Sequence, residues 1–172
     1  MVRLFGENGR ELARHARGQD DRPIVTEHET KSISQETTFT RDVRDNKVLE
    51  KTLHDQSVQV ARRLRESKLT AATIKLKIRW PDFTTLTRQT TLPNLTDQAD
   101  EISKVALDLM NIVRRPGQAV RLIGVGVSGL TIPIRQLALW YTGSEKSRRL
   151  QEAVDELRGK YGEKVIYKGE DL

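Results

Sequence analysis

The segment from Thr73 to Trp80 alternates apolar and basic residues without a break. Successive side chains of a β-strand point to opposite faces of a sheet, so this alternation predicts a strand with two different faces. The apolar members, which share one face, are Ile74, Leu76, Ile78 and Trp80, and the basic members of the other face are Lys75, Lys77 and Arg79. One face can close a hydrophobic core, while the other can lie on a polyanion such as DNA.

Composition sets outer limits on the kind of protein. A chain of 172 residues fits one domain with appendages, and its net charge of +6 favours anionic partners without identifying one. The absence of cysteine excludes disulfides and thiolate metal sites. The N-terminus lacks a signal-peptide core, and no apolar run approaches the roughly 20 residues that a membrane span needs. These features predict a cytoplasmic protein without a membrane partner.

The predicted organisation has one main domain with shorter segments on either side. Residues 1–18 predict a helix that ends at Gly18, and the polar residues 19–30 predict a linker stiffened by Pro23. The main domain is expected at 31–135, followed by a short peptide at 136–140 and a helical tail at 141–172.

Within the main domain, the periodicity predicts six elements in the order β-α-β-β-α-β. These are a strand at 31–40, a helix at 46–66 with Asp45 as N-cap, strands at 72–80 and 83–92 joined by a tight turn at Pro81 and Asp82, a helix that Thr96 caps and Pro116 ends, and a strand at 120–128. The expected fold class is α+β, with a four-stranded antiparallel-type sheet and two helices on one face. The other face is then open to solvent or a partner.

The open face is expected to collect cations, hydroxyls and glycines. From the four strands in chain order, the members are Ser32, Ser34 and Thr38, then Lys75, Lys77 and Arg79, then Arg88 with Thr90, then Gly124, Gly126 and Ser128. Cations and hydroxyls contact phosphates, and glycines allow a duplex to approach closely, so backbone contact indifferent to base sequence is one interpretation. The other is that any half-buried sheet has a polar outer face. Leu86 shares the parity of Arg88, which leaves the facing of the third strand open.

Two further patterns bear on nucleotide binding and catalysis. The run from Gly124 to Gly129 matches the G-x-G-x-x-G pattern of dinucleotide sites, but the segment after it contains β-branched residues and Pro133 and cannot begin a helix. The histidines at 15, 28 and 54 are scattered, and the acidic residues fall in linkers and on helix surfaces. The sequence therefore predicts no nucleotide fold, no catalytic residue and no metal site.

The peptide from Gln136 to Trp140 combines a polar residue with bulky apolar ones where the chain is expected to leave the domain. Such a run can dock into a groove of another protein. The alternative is that Leu137, Leu139 and Trp140 fold back onto the core or onto the tail helix.

Taken in order, these pieces resemble the C-terminal little finger domain of Y-family DNA polymerases of the bacterial DNA polymerase IV type. The resemblance spans about residues 22–140. It rests on Lys31-Ser32-Ile33-Ser34 with Glu36, Thr38 and Phe39; Leu76-Lys77-Ile78-Arg79 with Asp82-Phe83; Thr87-Arg88 with Thr91-Leu92; and Arg121-Leu122-Ile123-Gly124-Val125 with Val127-Ser128. Residues 1–18 resemble the last helix of the family's thumb domain, which would make 19–30 the tether between thumb and little finger.

The resemblance implies a DNA-gripping role in translesion synthesis and DNA repair. The little finger lies along the template–primer duplex and holds its backbones, so the partners would be double-stranded DNA and the rest of a parent polymerase near the nucleoid. By position, the implied DNA contacts are Lys31, Ser32, Ser34, Lys75, Lys77, Arg79, Thr87, Arg88 and Thr90.

The resemblance also implies where the chemistry resides. The family's catalytic carboxylates bind Mg²⁺ in a palm domain that has no counterpart here, so this chain itself would hold no cofactor. The peptide 136–140 resembles the bacterial sliding-clamp-binding motif, with Gln136, Leu137, Leu139 and Trp140 as anchors. Recruitment of the polymerase to the clamp is therefore the alternative function to DNA gripping.

Overall fold

A computed structural model describes residues 2–23, 29–133, 150, 153–157, 159–162 and 165–166. Its elements are α1 (Val2–His15), β1 (Ser32–Val43), α2 (Asn46–Glu66), β2 (Thr70–Arg79), β3 (Thr85–Thr96), α3 (Ala99–Val113) and β4 (Val120–Thr131). From β1 onward this is the predicted β-α-β-β-α-β order, and the α+β fold class is confirmed. Residues 153–157 and 159–161, in the predicted tail, are also helical.

The four strands form one antiparallel sheet in the order β1-β4-β2-β3. The last strand therefore lies between the two strands that α2 connects. Three residues of β4, Ile123, Val125 and Val127, are almost completely buried, which suits a central strand. The tight turn predicted at Pro81 and Asp82 lies between β2 and β3, where the N–H of Trp80 donates to Thr84 O over 2.9 Å.

Helices α2 and α3 pack on one face of the sheet, as predicted. The buried apolar positions of α2 recur at helical spacing and place a single stripe against the strands. They are Leu49, Leu53, Val60, Ala61 and Leu64, all 0% exposed. Each fully buried Leu or Val side chain contributes about 1.5–3 kcal/mol of transfer free energy. This stripe, together with Ile102 and Ala106 of α3, holds the helices to the sheet, and within the described residues no helix packs on the other sheet face.

One of the two predicted helix caps is confirmed and the other is wrong. Asp45 caps α2, since the N–H of Lys47 donates to Asp45 Oδ1 over 2.9 Å. Thr96 does not cap α3, because it still belongs to β3, where it pairs with Ala71 beyond an irregularity in the register. The helix begins three residues later, and Thr96 Oγ1 instead accepts a hydrogen bond from the N–H of Gln98.

Two buried polar side chains connect separate elements. Gln56 of α2 donates through Nε2 to Thr37 Oγ1 and to Ile123 O, each over 3.0 Å, and so joins the helix to β1 and β4. Arg114 follows α3 and is 8% exposed. Its guanidinium donates to the carbonyl oxygens of Gln118 and Arg44 and to the side chain of Asn46, which joins the α3–β4 loop to the start of α2.

The N-terminal helix is kinked at Gly6, whose φ of 57° and ψ of −142° are not helical. After its end, Gly18 adopts a φ of 73°, and its N–H donates to His15 O over 2.9 Å, so glycine serves the predicted capping role. Leu4 is 82% exposed, and Phe5 and Leu12 are exposed as well. Within the described part of the chain, no helix is long and apolar enough to cross a membrane.

Candidate nucleic-acid interface

The sheet face opposite α2 and α3, called the outer face here, consists of four cross-strand rows. In the order β1, β4, β2, β3 the rows are Ser32, Ser128, Thr73, Thr91; Ser34, Gly126, Lys75, Gln89; Glu36, Gly124, Lys77, Thr87; and Thr38, Leu122, Arg79, Thr85. Directly opposed residues of antiparallel strands share a face. The intervening residues, such as Ile74 and Leu76, are buried under the helices.

The structure brings most of the predicted site residues together on the outer face. Lys75, Lys77 and Arg79 stand in three consecutive rows, and Thr87 lies directly opposite Lys77. Ser32 and Ser34 contribute hydroxyls at the β1 end of the upper rows. Lys31 immediately precedes β1 and is exposed, but it lies outside the paired register. Contact of these seven residues with DNA remains a prediction.

Arg88 and Thr90 lie on the other face of the sheet, so their predicted place beside the β2 cations is wrong. Arg88 pairs with Leu76 and Thr90 with Ile74, both of which point into the core. The physical reason is that alternate residues of a strand share a face. Leu86 and Leu92 face the helices, and Arg88 and Thr90, at even spacing between them, face the same way. The sequence shows that Leu86 and Arg88 share a face, but not whether that face is the core face or the outer face.

A carboxylate stands among the cations of the outer face. Lys77 Nζ donates to Glu36 Oε2 over 2.7 Å, and this pair spans β4 at Gly124. Both side chains are partly solvated, at 37% exposure for Lys77 and 52% for Glu36. The pair therefore contributes little to stability but reduces the positive charge that Lys77 offers to an anion. Glu36 is one of the residues that carry the family resemblance, and its partner Lys77 lies 41 positions away in the sequence.

The other two β2 cations have different surroundings. Arg79 donates through Nε to Thr85 Oγ1 over 2.8 Å, which orients its guanidinium along the sheet. Within the described residues Lys75 has neither a hydrogen bond nor an ion pair, so its ammonium group is available to a ligand. Thr73 and Thr91 share a hydrogen bond between their hydroxyls at 3.1 Å, which links β2 to the edge strand β3.

The glycines at positions 124 and 126 of β4 leave room for the neighbouring strand β1. A Cβ at Gly124 would lie 2.8 Å from Glu36 Cβ and 3.1 Å from Gln35 O. A Cβ at Gly126 would lie 3.2 Å from Ser34 Cβ. The expectation that these glycines let a duplex approach is therefore incomplete, because crowding against β1 already disfavours a side chain there.

The sequence did not predict an exposed aromatic contact at one end of the sheet, formed by Phe83. Phe83, in the β2–β3 turn, is 62% exposed and has a φ of 66°, which is unusual for a residue with a side chain. The guanidinium carbon of Arg121 lies 4.4 Å from the centre of its ring, a cation–π geometry, and Arg121 also pairs with Asp42 at 3.7 Å. This contact holds an exposed ring near the start of β4.

The described residues contain no group of three or more His, Asp or Glu side chains that could hold a metal ion. The two adjacent carboxylates of the predicted linker are paired with arginines instead. Asp21 bonds Arg14, and the Arg22 guanidinium beside Asp20 holds the pKa of that carboxyl well below its usual range. His28 lies outside the described residues, as do all the predicted clamp anchors: Gln136, Leu137, Leu139 and Trp140.

The matched G-x-G-x-x-G pattern lies wholly within β4, so no helix begins at these glycines and the dinucleotide interpretation is excluded.

A family model described as the impB/mucB/samB family C-terminal domain matches residues 30–139. The chain belongs to this family. The match begins one residue before the predicted domain and includes most of the predicted clamp peptide.

Several relatives of this impB/mucB/samB C-terminal domain are named DNA polymerase IV. DNA polymerase IV of Dehalococcoides mccartyi strain CBDB1 is 39% identical over 159 residues, which cover 92% of this chain and 40% of that protein. DNA polymerase IV of Moorella thermoacetica is 36% identical over 175 residues, covering 100% of this chain and 44% of that protein. The chain thus spans about two fifths of the length of these curated relatives, and the resemblance to the little finger of the DNA polymerase IV type is confirmed.

Solved structures agree on the fold. A Y-family DNA polymerase chimera superposes with a TM-score of 0.55 at 20% identity, covering 77% of this chain and 38% of the other. An insertion ternary complex of Dbh DNA polymerase superposes with a TM-score of 0.51 at 21% identity, with the same two coverages. At these identities the likeness supports the arrangement of strands and helices.

Proposed function

We propose that this chain is the DNA-gripping little finger domain of an error-prone translesion polymerase, and that its outer face holds the backbone of the template–primer duplex in DNA damage tolerance and repair. The observation that carries the proposal is the alignment of Lys75, Lys77 and Arg79 in consecutive rows of a sheet face that the helices leave bare. Family membership supports it, since the relatives are named DNA polymerase IV.

The composition of the outer face favours backbone contact over base reading. Its side chains are mainly cations and short hydroxyls, which suit phosphate oxygens, and it presents no helix or ribbon that would enter a groove. Binding is therefore expected to be nearly independent of base sequence, as an enzyme that moves along its template requires.

The chemistry of synthesis would belong to the remainder of a longer protein. The relatives are more than twice the length of this chain, and in such a parent polymerase a palm domain would supply the carboxylates and Mg²⁺. This chain would bind the duplex and would hold no cofactor of its own. Its place of action would be the cytoplasm, at the nucleoid.

Salt dependence of duplex binding tests the proposal. The logarithm of the binding constant is expected to fall linearly with the logarithm of salt concentration, with a slope of about −0.9 per phosphate contacted. Three β2 cations then give a slope of about −2.7 or steeper. Fluorescence anisotropy with two duplexes of unrelated sequence measures it. A slope near zero, or a strong preference for one sequence, would contradict the proposal.

Removing the carboxylate from the outer face is expected to strengthen DNA binding. In Glu36→Gln, Lys77 no longer shares its positive charge with a carboxylate, so the affinity of the outer face for the duplex backbone should rise about 3- to 10-fold. Glu50→Gln makes the same charge change on an exposed position of α2 and is the control. Equal effects of the two variants would mean that only net charge matters.

Recruitment to a sliding clamp through 136–140 is a second candidate, favoured by the sequence Gln136-Leu137-Ala138-Leu139-Trp140. Trp140→Ala is expected to cost about 2 kcal/mol or more of clamp affinity, as the loss of an aromatic interface anchor does. Calorimetry against a bacterial clamp measures this cost, with Tyr141→Ala, just beyond the pentapeptide, as control. An unchanged affinity in Trp140→Ala would remove the candidate.

A further inference from the structure

Arg63 reaches from the helix layer to the free edge of the sheet. It lies in the last turn of α2, and its Nη1 donates to the carbonyl oxygen of Ser34 over 3.2 Å. In the described part of the chain β1 pairs with β4 alone, so the other side of β1 is an edge. The side chain of Ser34 belongs to the outer face. An exposed guanidinium is thus fixed beside the β1 hydroxyls.

Apart from Lys31, which precedes β1 and lies outside the paired register, the cross-strand rows of the outer face have no cation on this side. Their three positive charges all stand on β2, whereas the four outward positions of β1 carry hydroxyls and one carboxylate, namely Ser32, Ser34, Glu36 and Thr38. Strands lie about 4.8 Å apart, so β1 and β2, with β4 between them, are separated by roughly 10 Å. Arg63 therefore places positive charge on the β1 side of β4, opposite the β2 cations. The outward positions of β4 between them include Gly124 and Gly126.

The surroundings of Arg63 differ from those of its neighbours on the same helix. Arg62 pairs with Glu66 at 2.8 Å, and Arg65 pairs with Asp155 at 2.7 Å. Among the described residues no carboxylate pairs with Arg63, and its single hydrogen bond goes to a neutral carbonyl. A guanidinium has five N–H donors, so most of those on Arg63 remain available for a planar, two-pronged contact.

We propose that Arg63 is a phosphate-binding residue at the β1 edge, which holds the duplex backbone on the side of the outer face opposite the β2 cations. This inference rests on the proposed function. The carbonyl of Ser34 fixes the guanidinium at the edge, and the remaining N–H groups donate to a phosphate that the Ser34 hydroxyl also approaches. The outward surface of β4 then has cations on both sides, Arg63 at the β1 edge and Lys75, Lys77 and Arg79 on β2.

Edge protection is the competing role for the same contact. A side chain that occupies an edge carbonyl discourages pairing with a strand of another molecule. That role predicts that loss of Arg63 leads to self-association and leaves DNA binding unchanged. The phosphate role predicts a change in the salt dependence of DNA binding, which edge protection does not produce.

The test compares Arg63→Gln with Arg62→Gln, which makes the same charge change one residue away on the same helix. Arg63→Gln is expected to lower duplex affinity about 3- to 10-fold and to make the salt slope less steep by about 0.9, while Arg62→Gln leaves the slope unchanged. Arg63→Lys should retain the slope and lose part of the affinity, because a lysine lacks the planar fork. Thermal unfolding and light scattering verify that each variant is folded and monomeric.

The outcomes separate this inference from the function on which it rests. If Arg63→Gln keeps the original slope while Lys75→Gln reduces it, the inference is wrong and the DNA-gripping function stands. If neither variant changes the slope, both are wrong. Self-association of Arg63→Gln with an unchanged slope would assign Arg63 to edge protection alone.

Discussion

Replacement of Lys75, Lys77 and Arg79 together by glutamine is expected to lower duplex affinity about 100-fold near 0.1 M salt. The three side chains stand in consecutive rows of the outer face, so one duplex backbone can contact all of them. The slope of log K against log salt should become less steep by about 2.7, at about 0.9 per lost phosphate contact. Anisotropy titrations at several salt concentrations measure both quantities.

A matched triple variant separates position from charge. Lys47, Lys51 and Lys104 are exposed residues of the helix layer, and their replacement by glutamine removes the same three charges from the other side of the sheet. This variant should keep most of the affinity and nearly all of the slope. Equal losses in the two variants would mean that the overall charge, and no particular face, attracts DNA, which would contradict the proposed interface.

The variant Arg114→Met is expected to lower the free energy of unfolding by about 3 kcal/mol. The side chain keeps its apolar stem but leaves three acceptors without their donor: the carbonyls of Gln118 and Arg44 and the amide oxygen of Asn46. Burial lowers the pKa of Arg114, which reflects removal of the guanidinium from water. Urea denaturation measures the change.

Arg115→Met is the control for this prediction. Its side chain is exposed one position further along the chain, so the loss should stay within about 0.5 kcal/mol. Similar losses in the two variants would mean that the hydrogen bonds of Arg114 contribute nothing beyond those that water would supply. The Arg114 variant should also leave DNA affinity unchanged wherever it remains folded, because the side chain lies in the helix layer.

The facing of β3 marks the limit of sequence reasoning about the interface. Alternation in β2 was unambiguous, because every second residue was apolar, and the facing of Lys75, Lys77 and Arg79 followed directly. In β3 a leucine and an arginine two positions apart compete for one face. Leu92 packs against the core and Leu86 lies opposite the buried Ile78, so this side of β3 faces the helices. Arg88 is exposed on the edge strand and keeps its hydration there.

The sequence alone likewise did not predict which side chains would meet across the strands. Glu36 and Lys77 are separated by 41 positions, and they meet only because β4 inserts between β1 and β2 and carries a glycine at the crossing row. Arg63 belongs by sequence to the helix layer, yet its length lets it reach round the edge strand to Ser34. Long-range register decides such contacts, and register depends on the whole sheet.

The sequence by itself determined the α+β class, the order of the elements from β1 to β4, the cap at Asp45 and the two faces of β2. Those features depend on local periodicity and on short-range hydrogen bonds, which each segment specifies alone. Only the tertiary structure decided the strand order, the facing of Arg88 and Thr90, the pairing of Lys77 with Glu36 and the position of Arg63. These depend on which distant segments become neighbours when the apolar residues of all four strands are buried together.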